Sequence, residues 1–369
     1  MANNTTNLLE AITALLAPVL NALDGLQFAG RHLHPPVIAT LGENLDRFRE
    51  PLREAHDTFK TIDWPPHLQD FAERMDQAAT ATRAGLDGVV EAAFASNPVM
   101  NGYRAVGQGV RAREALYPLA AVLPPLSRFF VAEQARDDED LAARLSAAAN
   151  PTEQYQEAAV GVIHMENDLD SRGGASLYVP EYYRPDTPMP LIVALHGGSG
   201  HGASFLHTWL VAARSAGAIL LAPTSAGGTW SLQEPAVDHE RLQGMVQRLG
   251  ETYAIDRSRM LLTGMSDGGT FTLLSGLHED SFATHLAPIS GTFHPFLMEV
   301  AEPGRIRDLP VYMVHGALDW MFPVDSARLA HQTLGGAGVD ITYREIDDLS
   351  HTYPIEENWP ILQWLLQPK

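Results

Sequence analysis

The segment Leu261-Leu262-Thr263-Gly264-Met265-Ser266-Asp267-Gly268-Gly269 decides the fold of most of this 369-residue chain. An apolar run typical of a β-strand leads into Gly264, and an apolar, helix-like run follows Gly269. A serine with a glycine two positions away on each side, between a strand and a helix, occupies a sharp turn that exposes its hydroxyl. A side chain at either glycine would collide with the adjoining strand or helix. Ser266 is therefore a candidate nucleophile, and the Asp267 N–H is a candidate oxyanion donor.

A nucleophilic serine requires a histidine as base and a carboxylate that orients the histidine. Two strand-like runs downstream of Ser266 end in suitable residues. The run through Val314 leads to Asp319, and the run through Ile346 leads to His351. Both residues lie beyond the carboxyl ends of predicted strands, where a parallel sheet presents its functional groups. We predict Asp319 as the acid and His351 as the base; the alternatives for the acid are Asp325, Asp347 and Asp348.

A second glycine-rich turn, His196-Gly197-Gly198-Ser199-Gly200, follows an earlier apolar run. Glycines at a strand end leave backbone amides able to approach a ligand closely. We predict the Gly198 N–H, or alternatively that of Gly197, as the second oxyanion donor beside Asp267. The turn has neither the lysine of a phosphate-binding loop nor the glycine spacing of a dinucleotide site. His196 and His315, which each precede a glycine at a strand end, are predicted to be structural.

Aromatic and methionine side chains near the predicted strand ends suit an uncharged acyl or aryl group. The residues predicted to bind substrate are Trp230, Met265, Phe293, His294, Trp320, Met321 and Phe322.

The chain changes character near Asn150-Pro151. Residues 1–150 carry apolar stripes at helical spacing, separated by proline-containing turns, and predict an all-α domain. Residues 151–369 alternate strand-like and helical runs, which is typical of a mostly parallel, doubly wound α/β sheet. The helical domain contains no catalytic motif. We expect it either to cover the site or to form a homo-oligomer interface.

The composition excludes several kinds of site. The chain has no cysteine, which excludes disulfides, a thiolate nucleophile and cysteine-ligated metals. A net charge of −20 argues against nucleic acid and anionic membranes as partners. The histidines and acids show no metal-ligand spacing, so we expect no metal and no cofactor. The N-terminus lacks a basic region and a cleavage site, and no apolar run is long enough to span a membrane, so we expect a cytoplasmic location.

These motifs together resemble the α/β-hydrolase superfamily over residues 157–368. The similarity is greatest to the phospholipase/carboxylesterase group and to the feruloyl esterase–polyhydroxybutyrate depolymerase-like group. It is carried by Leu195 to Gly200, Ala254-Ile255-Asp256, Gly264 to Gly269, His315 to Asp319, and His351. The resemblance implies a serine esterase with Ser266, Asp319 and His351 as the triad and no cofactor. Many of the depolymerase-like proteins are secreted and disulfide-bonded, and none of the similarity extends to the helical residues 1–150, so a polymeric substrate does not follow.

The expected function is hydrolysis of small to medium uncharged acyl or aryl esters through an acyl-enzyme on Ser266. Two other classes remain open at this stage. A peptidase or amidase would use the same triad, because an amide differs mainly in the protonation that its leaving group requires. The second class is a non-catalytic binding protein with the same fold, although such proteins usually lack one member of the triad.

Overall fold

The computed structural model describes residues 2–149, 158–293 and 297–367. The chain divides into two compact units, Met1–Phe130 and Val131–Lys369. The first is entirely helical in its described part, and its helices are α1 Ala2–Arg31, α2 Ile38–Phe59, α3 Gln69–Ala92, α4 Pro98–Leu116 and α5 Pro124–Phe129. The predicted helical region ahead of the sheet is thus confirmed.

The division between the units falls 20 residues before the boundary predicted at residue 150. The next helix, α6 (Glu139–Ala149), belongs to the second unit because of its packing. Leu141 and Leu145 are buried with Val131 and Ala135, against Tyr182 and Trp359 of the α/β region. The Ala132 N–H also donates to Ser215 Oγ at 2.8 Å. Helical periodicity shows that α6 is a helix but cannot show which neighbour it packs against.

The helix α1 includes Leu8–Arg31, which by length and composition alone could cross a membrane. This finding differs from the prediction that no apolar run in the sequence is long enough to span a membrane. A core helix and an N-terminal signal sequence have the same length and composition, so this property assigns no membrane span. Within the first unit, Leu15, Val19 and Leu23 of this helix are buried.

The second unit is built on one eight-stranded sheet in the order β1-β2-β4-β3-β5-β6-β7-β8. All eight strands lie within residues 151–369, which the sequence predicts to form the α/β sheet. β1 and β2 are antiparallel to their neighbours, and the remaining pairs are parallel. The strands are β1 Gly161–Met165, β2 Ala175–Val179, β3 Met189–Leu195, β4 Ile219–Pro223, β5 Ile255–Met265, β6 His285–Ile289, β7 Pro310–Gly316 and β8 Asp340–Ile346.

Helices follow most of the parallel strands, as a doubly wound sheet requires. They are α7 Gly202–Ala216, α8 Ala236–Thr252, α9 Asp267–Gly276, α10 Leu297–Val300, α11 Pro303–Ile306, α12 Val324–Gly336 and α13 Asn358–Leu365. The central strands β3, β4 and β6 are buried along their whole length because helices cover both faces. In β3, for example, every residue from Met189 to Leu195 is buried. The predicted α/β fold with a mostly parallel sheet is confirmed.

This topology determines where the candidate residues lie. The carboxyl ends of β3, β5, β7 and β8 all meet at one edge of the sheet, because these strands are parallel. Gly198 follows β3, Ser266 follows β5, Asp319 follows β7 and His351 follows β8. Residues that are far apart in sequence are therefore brought to one edge.

Candidate active site

Ser266 occupies the turn between β5 and α9 with a backbone φ of 58° and ψ of −120°. A non-glycine residue at positive φ costs about 1–3 kcal/mol and persists only where its surroundings enforce it. The Ser266 N–H donates to the Ile289 carbonyl at 3.0 Å, which ties the turn to β6. Ser266 is 8% exposed, so the residue is almost completely buried at this edge of the sheet.

The two glycines that flank Ser266 are required because neighbouring backbone atoms lie very close to their Cα atoms. A Cβ at Gly264 would lie 2.5 Å from the Gly268 carbonyl oxygen. A Cβ at Gly268 would lie 2.4 Å from the Leu195 carbonyl oxygen. Backbone atoms of β3 and α9 cannot move away without breaking the sheet or the helix. The collisions that the sequence predicts at these two positions are thus present in the structure.

The three residues predicted as a triad are connected by hydrogen bonds. His351 Nε2 lies 2.9 Å from Ser266 Oγ, and His351 Nδ1 lies 2.8 Å from Asp319 Oδ2. The other carboxylate oxygen, Asp319 Oδ1, accepts the backbone N–H groups of Met321 at 2.9 Å and Phe322 at 2.7 Å. These bonds fix the carboxylate, which in turn fixes the histidine ring with Nε2 towards the serine.

The loops that carry the acid and the histidine are joined by backbone hydrogen bonds. Ala317 N–H donates to the Ile346 carbonyl, and Leu318 N–H donates to the Leu349 carbonyl, each at 2.9 Å. Gly316 permits this approach, since a Cβ there would lie 2.2 Å from the Leu349 oxygen. Asp325, an alternative acid, binds Arg328 on the exposed face of α12 instead. Asp347 and Asp348 are both exposed.

The turn after β3 lies against the serine. A Cβ at Gly197 would be 3.5 Å from Ser266 Cβ, and one at Gly198 would be 2.7 Å from Asp267 Oδ2. Both glycines therefore adjoin the turn that carries Ser266 and Asp267. Within the described ranges, the Gly198 N–H makes no backbone hydrogen bond, whereas those of Ser199 and Gly200 do. This arrangement is compatible with Gly198 and Asp267 as oxyanion donors, with Gly197 as the alternative.

Several residues that support this turn were missed by the sequence analysis. Arg172 donates to the Gly227 carbonyl at 2.9 Å and to the Gly200 carbonyl at 2.6 Å, and so joins the turns after β3 and β4. Thr229 Oγ1 donates to Asp267 Oδ2 at 2.6 Å. The Gly227-Gly228 pair is the sequence signal that indicates a turn after β4. Arg172 lies in a polar loop without any motif.

The seven residues predicted to bind substrate differ in their exposure to solvent. Trp230 is 2% exposed, donates its indole N–H to the His196 carbonyl and stacks on Phe271, so it belongs to the core. Phe293 is buried in the same core. Met265 and Phe322 are half-buried, and the Phe322 ring packs edge-on against His351. Trp320 and Met321 are exposed beside Asp319, and His294 lies outside the described residues.

The buried His196 is held in the neutral form. Its Nε2 accepts the Ser225 N–H at 3.1 Å, so its Nδ1 carries the proton and donates to the Gly197 carbonyl at 2.7 Å. Burial lowers the pKa of His196 to about 4. Burial also lowers the pKa of His315, whose Nε2 lies 2.9 Å from the Phe322 carbonyl. Both rings thus contact backbone groups in the loops of the site, and His315 Nε2 also lies 3.5 Å from Asp319 Oδ2. These contacts are compatible with the structural role that the sequence predicts for both residues.

His196 is expected to make the protein sensitive to acid. Since its pKa is about 4 when folded and 6.5 when unfolded, the unfolded chain binds the proton more readily, and stability is lost as the pH falls from 6.5 towards 4. The expected loss is about 3 kcal/mol in the free energy of unfolding. Urea unfolding at successive pH values would measure it. His196→Asn should flatten this part of the profile; an unchanged slope in the variant would contradict the assignment.

Comparisons with known proteins agree with the geometry. Residues 234–364 match the family model of the phospholipase/carboxylesterase group. A bifunctional acetylxylan esterase/xylanase of Neocallimastix patriciarum is 29% identical over 42% of this chain. An acyl-protein thioesterase 1 of Gibberella zeae is 30% identical over 27% of the chain. Part of the second unit, residues 234–364, is thus similar in sequence to the phospholipase/carboxylesterase group of α/β-hydrolases. The resemblance inferred from the motifs is thus confirmed.

These matches are partial. The chain covers 23% of the length of the acetylxylan esterase/xylanase and 43% of the thioesterase. The structure of a thermostable esterase aligns with 55% of this chain and 61% of its own length, at 22% identity and a TM-score of 0.45. The activities in these names belong to those proteins, and the substrate of this chain depends on its own site.

Proposed function

We propose that the protein is a serine hydrolase that cleaves uncharged carboxylic esters through an acyl-enzyme on Ser266. The observation that carries the proposal is the continuous hydrogen-bonded series from Asp319 through His351 to Ser266 Oγ. Such a series allows the histidine to take the serine proton while the carboxylate stabilises the cation that forms. The family match to the carboxylesterase group supports the same reaction.

The reaction proceeds in two steps. Ser266 Oγ attacks the ester carbonyl carbon while His351 Nε2 takes the hydroxyl proton. The carbonyl oxygen becomes an oxyanion held by the N–H groups of Asp267 and Gly198, and the start of α9 adds the positive end of its helix dipole. His351 then protonates the leaving alcohol. In the second step a water molecule gives a proton to His351 and attacks the acyl carbon. The bond from that carbon to Ser266 Oγ then breaks, His351 returns the proton to Oγ, and the acid is released.

An uncharged, apolar acyl or aryl group is the substrate that the site favours. Trp320 and Met321 flank the acid loop and are 43% and 40% exposed. Exposed large apolar side chains beside a catalytic residue offer area that a substrate can bury. The net charge of −20 disfavours anionic substrates and nucleic acid. The partner we propose is accordingly a small-molecule ester, and no cofactor takes part in the reaction.

A panel of p-nitrophenyl esters of increasing acyl length, with an aminoacyl p-nitroanilide beside it, tests this function. We expect kcat/KM for the esters to exceed that for the anilide by at least about 100-fold, because p-nitrophenolate leaves without a proton whereas an amine has to be protonated as it leaves. Equal rates would indicate a peptidase or amidase. No turnover of any compound, together with no covalent labelling of Ser266 by a fluorophosphonate, would indicate a non-catalytic protein.

The exposed side chains of Trp320 and Met321 give a second prediction. The double variant Trp320→Ala/Met321→Ala should lower kcat/KM for octanoyl or aryl esters about tenfold and leave the acetate ester nearly unchanged, because only the larger groups reach the lost surface. Met165→Ala is the matched control. Met165 is 39% exposed but lies on β1, at the opposite end of the sheet from β7. Equal losses for acetate and octanoate would remove these residues from the substrate site.

For the helical first unit we propose the two roles that its sequence suggests, a cover for the acyl site or a homo-oligomer interface. Sedimentation velocity of the full chain separates them, since a monomer excludes the second. The cytoplasmic location stays a prediction.

A further inference from the structure

Within the second unit, three side chains that the proposed reaction does not use lie close together. His239 lies in the first turn of α8, while His278 and Asp280 lie in the turn after α9. His239 Nε2 is 2.8 Å from Asp280 Oδ1, and His278 Nδ1 contacts the same oxygen. The three atoms lie within 4.8 Å of one another. Two imidazole nitrogens and a carboxylate oxygen thus face one point.

The ligand atoms are oriented by neighbouring groups. His239 is buried, and its Nδ1 lies 2.8 Å from Ser275 Oγ, which leaves Nε2 directed at Asp280. The side chain of Gln243 donates to the backbone carbonyl of Asp280 and holds that residue in place. A hydrogen bond on the second ring nitrogen is the usual accompaniment of a metal-ligating histidine, because it fixes both ring and tautomer.

We propose that His239, His278 and Asp280 bind one Zn²⁺ ion, with water as the fourth ligand. Zinc prefers imidazole nitrogen and carboxylate oxygen in a tetrahedral arrangement, with bonds of about 2.0–2.2 Å. Ligand atoms around such an ion are roughly 3.4 Å apart. His239 Nε2 and Asp280 Oδ1 are 2.8 Å apart and His278 Nδ1 also contacts that oxygen, so both nitrogens have to move away from it to admit the ion. The small expansion required is available because His278 and Asp280 are exposed side chains on a turn.

The ion serves stability, not the reaction. Ser275, which contacts His239, lies nine residues after Ser266, or about 13 Å along α9 at 1.5 Å per residue. Zinc would join the first turn of α8 to the end of α9. The neighbouring Asp238 of α8 accepts the N–H groups of Ala226 and Ser231, so the same turn also anchors the loop after β4. This site differs from the expectation of no metal, because 41 residues separate His239 from Asp280 and no local spacing indicates it.

The test uses the untagged full-length chain, treated with chelator and dialysed. Calorimetric titration with Zn²⁺ should show one ion per chain, and saturation should raise the Tm by about 2–4 °C, because an ion that binds only the folded state stabilises it. His278→Ala and Asp280→Asn should abolish both effects. Neither variant removes a buried side chain, so both should fold. His67→Ala, at an exposed histidine of the first unit, is the matched control and should keep both effects.

Two further readouts separate this site from the proposed esterase reaction. Co²⁺ in place of Zn²⁺ should give visible d–d absorption in the wild type and none in His278→Ala. Hydrolysis of p-nitrophenyl acetate should be the same in both proteins at a temperature well below the Tm. The proposal fails if the wild type binds no Zn²⁺ at submillimolar concentration, or if His278→Ala or Asp280→Asn retains one equivalent with unchanged affinity. The cluster would then be held by hydrogen bonds alone.

Discussion

Ser266→Ala is expected to lower kcat for p-nitrophenyl esters by about 10⁴-fold or more, with the protein still folded. The variant removes the only atom that forms the acyl bond, while His351 and the oxyanion donors stay in place. The residual rate would come from water in the polarised site. Steady-state kinetics, combined with the loss of covalent labelling by a fluorophosphonate, measure the effect.

Ser290→Ala is the matched control for that experiment. Ser290 also follows a strand at the same edge of the sheet, has a positive φ of 46°, and is fully buried. Its Oγ has no hydrogen-bond partner among the described residues. We expect the activity of Ser290→Ala to stay within about twofold of the wild type, since the variant loses no group that transfers a proton or binds the oxyanion. A Ser266→Ala variant that keeps more than a tenth of wild-type activity would mean that another group is the nucleophile.

Asp319→Asn is expected to lower kcat by about 10⁴-fold with a small change in KM. The Asp319 side chain is inaccessible to solvent, so no water can replace the carboxylate beside His351. An amide in its place can present an N–H group to His351 Nδ1, which stabilises the wrong tautomer and cannot support the imidazolium. The same p-nitrophenyl ester assay measures the loss.

Asp325→Asn is the control for the acid. The sequence offered Asp325 as an alternative, and the structure places its carboxylate on exposed Arg328. Exposed ion pairs of this kind contribute little, about 0–1 kcal/mol, so the variant should retain full activity. If Asp325→Asn caused the severe loss and Asp319→Asn did not, the acid would be misassigned, and the loop geometry after β7 would have to change on binding substrate.

The α/β fold could be predicted from sequence because its signals are local. Each central strand is a short apolar run, and the glycines around Ser266 are dictated by atoms only a few residues away or on the adjoining strand. The order of serine, acid and histidine along the chain follows from the order of parallel strands. Once β5, β7 and β8 are recognised, their carboxyl ends have to meet at one edge, and the candidate triad follows without knowledge of any side-chain contact.

The substrate site was less predictable because strand-end position does not determine side-chain direction. Trp230 and Trp320 both lie near strand ends, yet Trp230 is buried with its indole N–H on the His196 carbonyl, whereas Trp320 is exposed. The difference arises from the neighbours of each loop. The loop after β4 is held by hydrogen bonds to the side chains of Arg172 and Asp238. The loop after β7 forms an exposed turn in which Asp319 accepts the Met321 N–H.

The sequence alone determined the class of fold, the helical region ahead of the sheet and the residues predicted as the triad, since periodicity and glycine spacing are properties of neighbouring residues. Only the tertiary structure decided which pieces pack together. It packed α6 against Tyr182 and Trp359 of the second unit, placed Asp319, of the four candidate acids, beside His351, and brought His239 to Asp280. These contacts join residues that are distant along the chain. They depend on packing and on the order of the strands in the sheet, and a local sequence pattern encodes neither.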